Sequence, residues 1–190
     1  MRDTALLPDG DTYQDLLARF RWDIPASFNI AQACCDRWAD GGGRLALIHV
    51  LPDGRQEQIT FDALRATSAR LGAVLKARGV RRRDRVAVLL PQGPEAAIAH
   101  LAIYRIGAIA VPLFQLFGPD ALEFRLRDSG ASAVITDDVG LAKLAEIRDR
   151  LPDLRSVLCA DGARPGALSL WQEAERARDD DPPAATAADD

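Results

Sequence analysis

The sequence predicts an α/β fold, a mostly parallel sheet flanked by helices, with an N-terminal helical arm and a β-hairpin before it. Two observations support this. Between residues 61 and 177, short apolar runs alternate with segments of helical periodicity. The run Arg85–Leu90 (RVAVLL) is almost continuously apolar, as a parallel strand is when both of its faces are buried. Parallel strands need crossover connections, so we expect helices on both faces of the sheet.

The first 43 residues are predicted to form the helical arm. Asn29 is a good N-cap for a helix over 30–39, and the glycines at 41–43 end it. The aromatic and basic residues Phe20-Arg21-Trp22 are expected to fix the arm onto the body.

A hairpin is predicted next, with strands at 44–50 and 55–60 joined by a Pro-Asp-Gly turn. Thr60 then caps a helix over 61–78, in which apolar residues repeat at intervals of three and four. The remaining predicted elements are strands at 85–90, 109–111, 133–136 and 156–159, and helices at 94–106, 119–128, 139–149 and 168–177.

Charge is distributed unevenly along the chain. The net charge of the 190 residues is −4, but the last twelve residues contain five Asp and no base, which leaves +1 on residues 1–178. A nearly neutral body argues against nucleic acid as a partner. The segment 179–190 is poor in large apolar residues, so we expect a mobile acidic tail or a severed linker.

Cysteine and histidine usage indicates neither a disulfide framework nor a metal centre. The three Cys have no regular spacing, which favours a reducing, cytoplasmic location. His49 and His100 are far apart in sequence, so a zinc site has little support, and His100 is interpreted as a packing residue. The longest apolar run, 96–114, is interrupted by polar residues, Gly and Pro, so no membrane span is predicted.

Two turns leave alternatives open. Pro91–Glu95 (PQGPE) lies before a helix, where backbone amides bind anions, but Glu95 would repel a phosphate and the glycine spacing of a phosphate loop is absent. A structural turn is therefore favoured over a phosphate site. Arg81-Arg82-Arg83 is interpreted as a solvated turn, with a contact to another domain or to an anionic ligand as the alternative.

Several motifs, in order along the chain, are similar to those of adenylate-forming enzymes. They are Phe61-Asp62-Ala63-Leu64, the segment 105–113 (RIGAIAVPL) and the segment 116–136 (LFGPDALEFRLRDSGASAVIT). The chain resembles the N-terminal part of an acyl-CoA synthetase. Phe20-Arg21-Trp22 and the following Ile24-Pro25 are most similar to the acetyl-CoA and medium-chain acyl-CoA synthetase branch.

The resemblance implies a fragment of an ATP-dependent acyl-CoA ligase of fatty acid metabolism. Such an enzyme uses ATP, Mg²⁺ and CoA, and it needs a Ser/Thr/Gly-rich phosphate loop and a catalytic Lys that are not found in this sequence. We therefore expect the isolated chain to be inactive, to hold no cofactor of its own and to have no catalytic or metal-binding residues. The implied organisation is an arm over 1–43, an incomplete α/β subdomain over 44–178 and the tail over 179–190.

The same resemblance suggests two contacts for CoA. Phe114 matches a residue near the adenine end of CoA, and Lys143 is the cation nearest to the matching basic positions, which are Leu141 and Leu144 here. Two glycines of the family pattern are replaced by Gln115 and Leu116.

The alternative to the ligase hypothesis is a non-catalytic, stand-alone α/β binding or interaction module. The expected partners are the remainder of the enzyme, or a second copy of the chain that associates through an exposed sheet surface.

Overall fold

A computed structural model describes residues 9–178 and 181–190. The helices are α1 (Tyr13–Arg19), α2 (Ile30–Cys34), α3 (Phe61–Ala77), α4 (Pro94–Arg105), α5 (Pro119–Ser129), α6 (Asp138–Ala145) and α7 (Leu170–Arg176). The strands are β1 (Leu45–Val50), β2 (Gln56–Thr60), β3 (Arg85–Leu89), β4 (Ile109–Pro112), β5 (Ala133–Thr136), β6 (Ser156–Cys159) and β7 (Leu168–Ser169). Two 3₁₀ turns cover Asp36–Trp38 and Arg148–Arg150.

Five strands form one parallel sheet in the order β4-β3-β5-β6-β7. The chain starts at β3, passes to β4 on one side and then crosses to β5 on the other side. This reversal makes the carboxyl ends of β3 and β5 a topological switch point, where ligands bind in open α/β sheets. The predicted α/β class with a mostly parallel sheet is confirmed.

Both faces of the sheet are buried, because alternate residues of each strand enter different cores. Val86, Val88 and Leu158 pack with α3, α4 and α7 in the first core. Leu89 and Val134 pack with α5 and α6 in the second. The near-continuous apolar runs in the sequence follow directly from this two-sided burial.

The predicted hairpin is confirmed: β1 and β2 pair antiparallel from Leu45 to Thr60. Thr60 accepts a hydrogen bond from the backbone N–H of Ala63 (3.2 Å), and so begins α3 where the sequence predicted.

Three predicted helices have bounds in the structure that differ by more than one residue. The helix predicted over 139–149 spans Asp138–Ala145, and a 3₁₀ turn over Arg148–Arg150 follows, because Ile147 leaves helical geometry (φ −121°, ψ 0°). The helix predicted over 30–39 ends at Cys34, and a 3₁₀ turn follows, because Cys35 leaves helical geometry (φ −125°, ψ −62°). The helix predicted over 168–177 begins at Leu170, because Leu168 and Ser169 first pair with β6 as a short edge strand.

Asn29 is one of the residues that hold the arm to the body, and the aromatic cluster is not. Trp22 is 81% exposed and packs edge-on against Phe20, so the prediction that this cluster fixes the arm is wrong. The buried Asn29 side chain donates to the carbonyls of Tyr104 (2.9 Å) and Ala184 (3.0 Å). Its oxygen accepts from the N–H groups that begin α2, as the sequence predicted.

Residues 181–190 lie against the body. Lys76 pairs with Asp181, the N–H of Ala184 donates to the Arg105 carbonyl (2.7 Å), and Arg82 and Arg83 both pair with Asp190. In this conformation the segment is anchored, although its composition predicts a mobile tail or a severed linker. Residues 179–180 of that tail, and 1–8 of the arm, lie outside the described residues.

The α6 glycine is required by close packing, so Gly140→Ala should destabilise the fold. A Cβ at Gly140 would overlap Thr136 Oγ1 and lie 2.8 Å from Leu89 Cδ2. We expect a loss of about 1–3 kcal/mol in the free energy of unfolding, measured by urea denaturation. Gly118→Ala is the matched control, because a Cβ there meets nothing within 4 Å. Equal stabilities of the two variants would contradict the packing described.

Release of residues 181–190 should follow loss of the Asp190 charge. Arg82 hydrogen-bonds this carboxylate and lowers its pKa below the ordinary 3.8, so the stabilisation is complete above that pH and is lost as the pH falls through the lowered value. At neutral pH, Asp190→Asn should therefore speed hydrogen exchange at the amides of Ala184 and Ala187. Asp189→Asn should not, since the Asp189 carboxylate forms no ion pair with the described residues. Fast exchange already in the unmodified chain would show the segment to be mobile.

Candidate functional site

The candidate site is the carboxyl edge of the sheet at the switch point. The loop 113–118 follows β4, the turn Pro91–Gly93 follows β3, and Asp137 follows β5. Parallel strands bring these three segments to the same edge.

Phe114 presents its ring to solvent on this edge. Its side chain is 60% exposed, and it meets Phe117 edge-on with ring centroids 6.0 Å apart. Arg125 of α5 lies over the Phe117 ring, 4.1 Å from its centroid, which holds that ring in place. The exposed face of Phe114 is therefore open to a planar ligand.

Lys143 of α6 fixes the loop that carries Phe114. Its ammonium donates to the carbonyls of Gln115 and Phe117, the second at 3.1 Å. The Gln115 amide in turn donates to Asp137 (2.6 Å), which caps α6 through the N–H of Gly140 (2.9 Å). The structure thus brings the two sequence-predicted residues into one hydrogen-bonded unit.

This unit fits the nucleotide end of CoA only in part. The open Phe114 ring suits an adenine, since bases stack on aromatic side chains. Lys143 has three N–H donors. Two of them donate to carbonyls of the loop, so one remains for an anion. Leu144 is buried in the second core, so its position supplies packing instead of a cation.

A cavity of about 470 Å³ lies between the hairpin and α4, and both histidines line it. His100 Nδ1 is 2.8 Å from the carbonyl oxygen of Ala96, which confirms the hydrogen-bonded packing histidine. His49 Nδ1 lies 3.5 Å from a Glu57 carboxylate oxygen. The sequence did not indicate that His49 and His100 line the same cavity, because they are far apart in the chain. The hairpin brings His49 close to the end of β3 and to α4.

Asp138, Cys159 and Asp161 approach one another closely enough to share a metal ion, with ligand atoms within 4.8 Å. Arg164 already donates to Asp138 (2.7 Å) and lowers its pKa. Burial raises the pKa of the Cys159 thiol, which favours its neutral form. Mg²⁺ prefers an all-oxygen octahedron, so this cluster does not fit the magnesium of the family reaction.

The two turns considered in the sequence have structural roles here. Pro94 occupies the first turn of α4 and Glu95 supplies the negative charge that the helix N-terminus favours. Arg82 and Arg83 bind Asp190 of the same chain.

Among the described residues, no helix is long and apolar enough to cross a bilayer.

Residues 35–190 match the family model described as "AMP-binding enzyme". The chain therefore belongs to this family, and its resemblance to an adenylate-forming acyl-CoA synthetase is confirmed. The match includes the switch-point edge and all five strands of the parallel sheet.

Acetyl-CoA synthetases are among the curated relatives. That of Syntrophobacter fumaroxidans is 34% identical over 190 residues, covering 90% of this chain and 29% of its own length. That of Novosphingobium aromaticivorans is 41% identical over 124 residues, covering 64% of this chain and 19% of its own length. The chain thus spans less than a third of the relatives it matches.

Solved structures show the same fold. A Brucella canis acyl-CoA synthetase superposes with a TM-score of 0.82 at 32% identity, over 93% of this chain and 34% of the other. The anthranilate CoA ligase AuaEII, solved with anthranoyl-AMP, gives a TM-score of 0.77 at 26% identity, over 87% of this chain and 31% of the other.

If Lys143 anchors the loop, Lys143→Met should loosen it while keeping the aliphatic stem. We expect a loss of about 1–3 kcal/mol in unfolding free energy from the two charge-assisted bonds. We also expect faster hydrogen exchange at the amide of Phe117, which donates to the Phe114 carbonyl (3.0 Å). Arg127→Met is the control, because Arg127 makes a surface pair with Glu123. An unchanged exchange rate in Lys143→Met would show that the loop does not depend on this side chain.

Proposed function

We propose that this chain contributes part of an ATP-dependent acyl-CoA ligase. Such an enzyme activates a carboxylate as an acyl-adenylate with release of pyrophosphate, and CoA thiol then displaces AMP. The observation that supports this most strongly is the 34% identity to an acetyl-CoA synthetase across 90% of the chain. The finer assignment to fatty acid metabolism belongs to the same proposal.

The chain by itself is proposed to be inactive. It spans 29% of the Syntrophobacter enzyme, and its switch-point edge offers an aromatic ring and one partly committed ammonium. Neither group transfers an adenylyl or an acyl group. The contribution of these residues is to hold the edge of the sheet rigid and to bind part of a substrate.

Phe114 and Lys143 are proposed as contacts for CoA. The exposed ring of Phe114 would stack on the adenine, and the remaining N–H of Lys143 would face an anionic group. Support comes from the exposure of the ring and from the shared loop that joins the two residues. Both residues also keep the loop in shape when no ligand is bound.

The proposed organisation is an arm over 1–43, an incomplete α/β subdomain over 44–178 and a tail or linker over 179–190. A cytoplasmic location is part of the same proposal, and it is supported by three free cysteines. The proposed partner is the remainder of the ligase, with ATP, Mg²⁺ and CoA serving the whole enzyme.

A stand-alone binding module is the second candidate. One observation favours it: both faces of the five-stranded sheet are already covered, so the described residues form two complete cores. Self-association is proposed through the hairpin and the edge strand β4, where Ile48, Val50 and Ile109 are exposed. Sedimentation distinguishes a monomer from an associating chain.

The ligase proposal is tested by replacing the matching segment of the Syntrophobacter enzyme with this chain. The chimera should catalyse carboxylate-dependent exchange of pyrophosphate into ATP and form an acyl-CoA. The 190-residue chain, assayed alongside, should show no exchange above background. A folded chimera that is inactive with carboxylates of every chain length contradicts the proposal, and exchange by the isolated chain contradicts its predicted inactivity.

The CoA contacts are tested by calorimetric titration of CoA into the chain. Phe114→Ala should weaken binding about tenfold, since stacking on one aromatic ring is worth roughly 1–3 kcal/mol. Phe124→Ala is the control, because Phe124 is equally exposed on α5 but lies outside the loop. Equal affinities of the two variants would remove Phe114 from the proposed site.

A further inference from the structure

Another cavity lies beside the free edge of β6, next to the amino end of the strand. Its volume is about 340 Å³, and it lies where the two-residue strand β7 leaves the start of β6 uncovered. Three arginines line it, Arg78 from the end of α3, Arg155 from before β6, and Arg164 from the loop before β7. None of these residues belongs to the switch-point loop.

Ser156 is the uncharged polar residue in the lining of this cavity. The residue is 9% exposed, and its hydroxyl oxygen is buried without a hydrogen-bond partner among the described residues. Buried hydroxyls are rarely left unpaired, because desolvation without a partner is costly. An unpaired hydroxyl that lines an arginine-rich cavity points to a ligand that accepts its hydrogen bond.

The arginines retain donors for such a ligand. Arg155 uses only Nη2, in long contacts of 3.3 Å to the Gly79 carbonyl and to Asp84, and its side chain is 56% exposed. Arg78 uses only Nη2, toward Glu173. For both arginines, the structure gives Nε and Nη1 no partner among the described residues.

Carboxylates balance the arginines from outside the cavity. Glu173 pairs with Arg78, Asp84 with Arg155 and Asp138 with Arg164, yet no acidic residue of the described chain lines the cavity itself. The charged groups of the lining are therefore all positive, and each of them is paired with a carboxylate that lies outside the lining. Such an arrangement holds arginines in position and leaves their remaining donors to an anion.

We propose that this cavity binds a phosphoryl group, with Ser156 and the free donors of Arg78 and Arg155 as its ligands. The guanidinium fork matches phosphate oxygens, and the serine hydroxyl donates to a further oxygen. The site is independent of the ligase proposal, since it shares no residue with the Phe114 loop. Its ligand is either inorganic phosphate or a phosphate ester.

The test is calorimetric titration of the 190-residue chain with inorganic phosphate and, separately, with AMP. Saturable binding should weaken about tenfold in Arg155→Gln and several-fold in Ser156→Ala, and stay unchanged in Arg150→Gln. Arg150 is a matched control, because it pairs with Glu123 on another part of the surface. Ser156→Ala removes an unpaired buried hydroxyl, so its folding should be preserved.

Tighter binding of AMP than of phosphate would identify an ester as the ligand. Equal affinities would identify the free anion. Both results support the site. Absence of saturable binding with either probe overturns the proposal. So does binding that weakens equally in Arg150→Gln and Arg155→Gln, which would show non-specific attraction to surface arginines.

Discussion

The structure depends on burying both faces of β3. This strand stands second in a sheet of five, pairs with β4 on one side and β5 on the other, and sends alternate side chains into two cores. A parallel strand in this position needs a helix layer on each face, and the crossover helices α4, α5 and α6 help to supply these layers. Successive strands are added on opposite sides of β3, and this change also creates the switch-point edge, where the Phe114 loop and Lys143 of α6 lie.

The peripheral segments are attached to this centre by polar contacts at the end of α4. Asn29 binds carbonyls of Tyr104 and Ala184, and the buried Arg105 pairs with Asp36 from the 3₁₀ turn of the arm. Breaking a buried pair of this kind by removing one partner typically costs about 3–5 kcal/mol. The arm and the residues 181–190 therefore meet at one point of the body, although they come from opposite ends of the sequence.

The sequence predicted the sheet well because each strand lies in a local pattern: a short apolar run between turn residues predicts a buried parallel strand without any knowledge of its neighbours. Long-range partners could not be predicted in the same way. The anchoring of Asp190 by Arg82 joins residues 108 positions apart, and the shared cavity of His49 and His100 exists only after the hairpin folds back. For the candidate site, the resemblance suggested Phe114 and Lys143 as contacts. The hydrogen bonds from Lys143 to the carbonyls of Gln115 and Phe117 could not be predicted, because they join α6 to a loop about 26–28 positions earlier in the sequence.

Residues 9–178 and 181–190 form a folded unit organised around β3, and native-state hydrogen exchange of the 190-residue chain is the measurement that bears on this organisation. Core strands open only with global unfolding, whereas exposed segments exchange through local opening. The amides of Val86–Leu89 and Val134–Thr136 should exchange most slowly, with an opening free energy equal to the unfolding free energy from urea denaturation. Exchange of these amides as fast as those of the arm at 13–19 would contradict it.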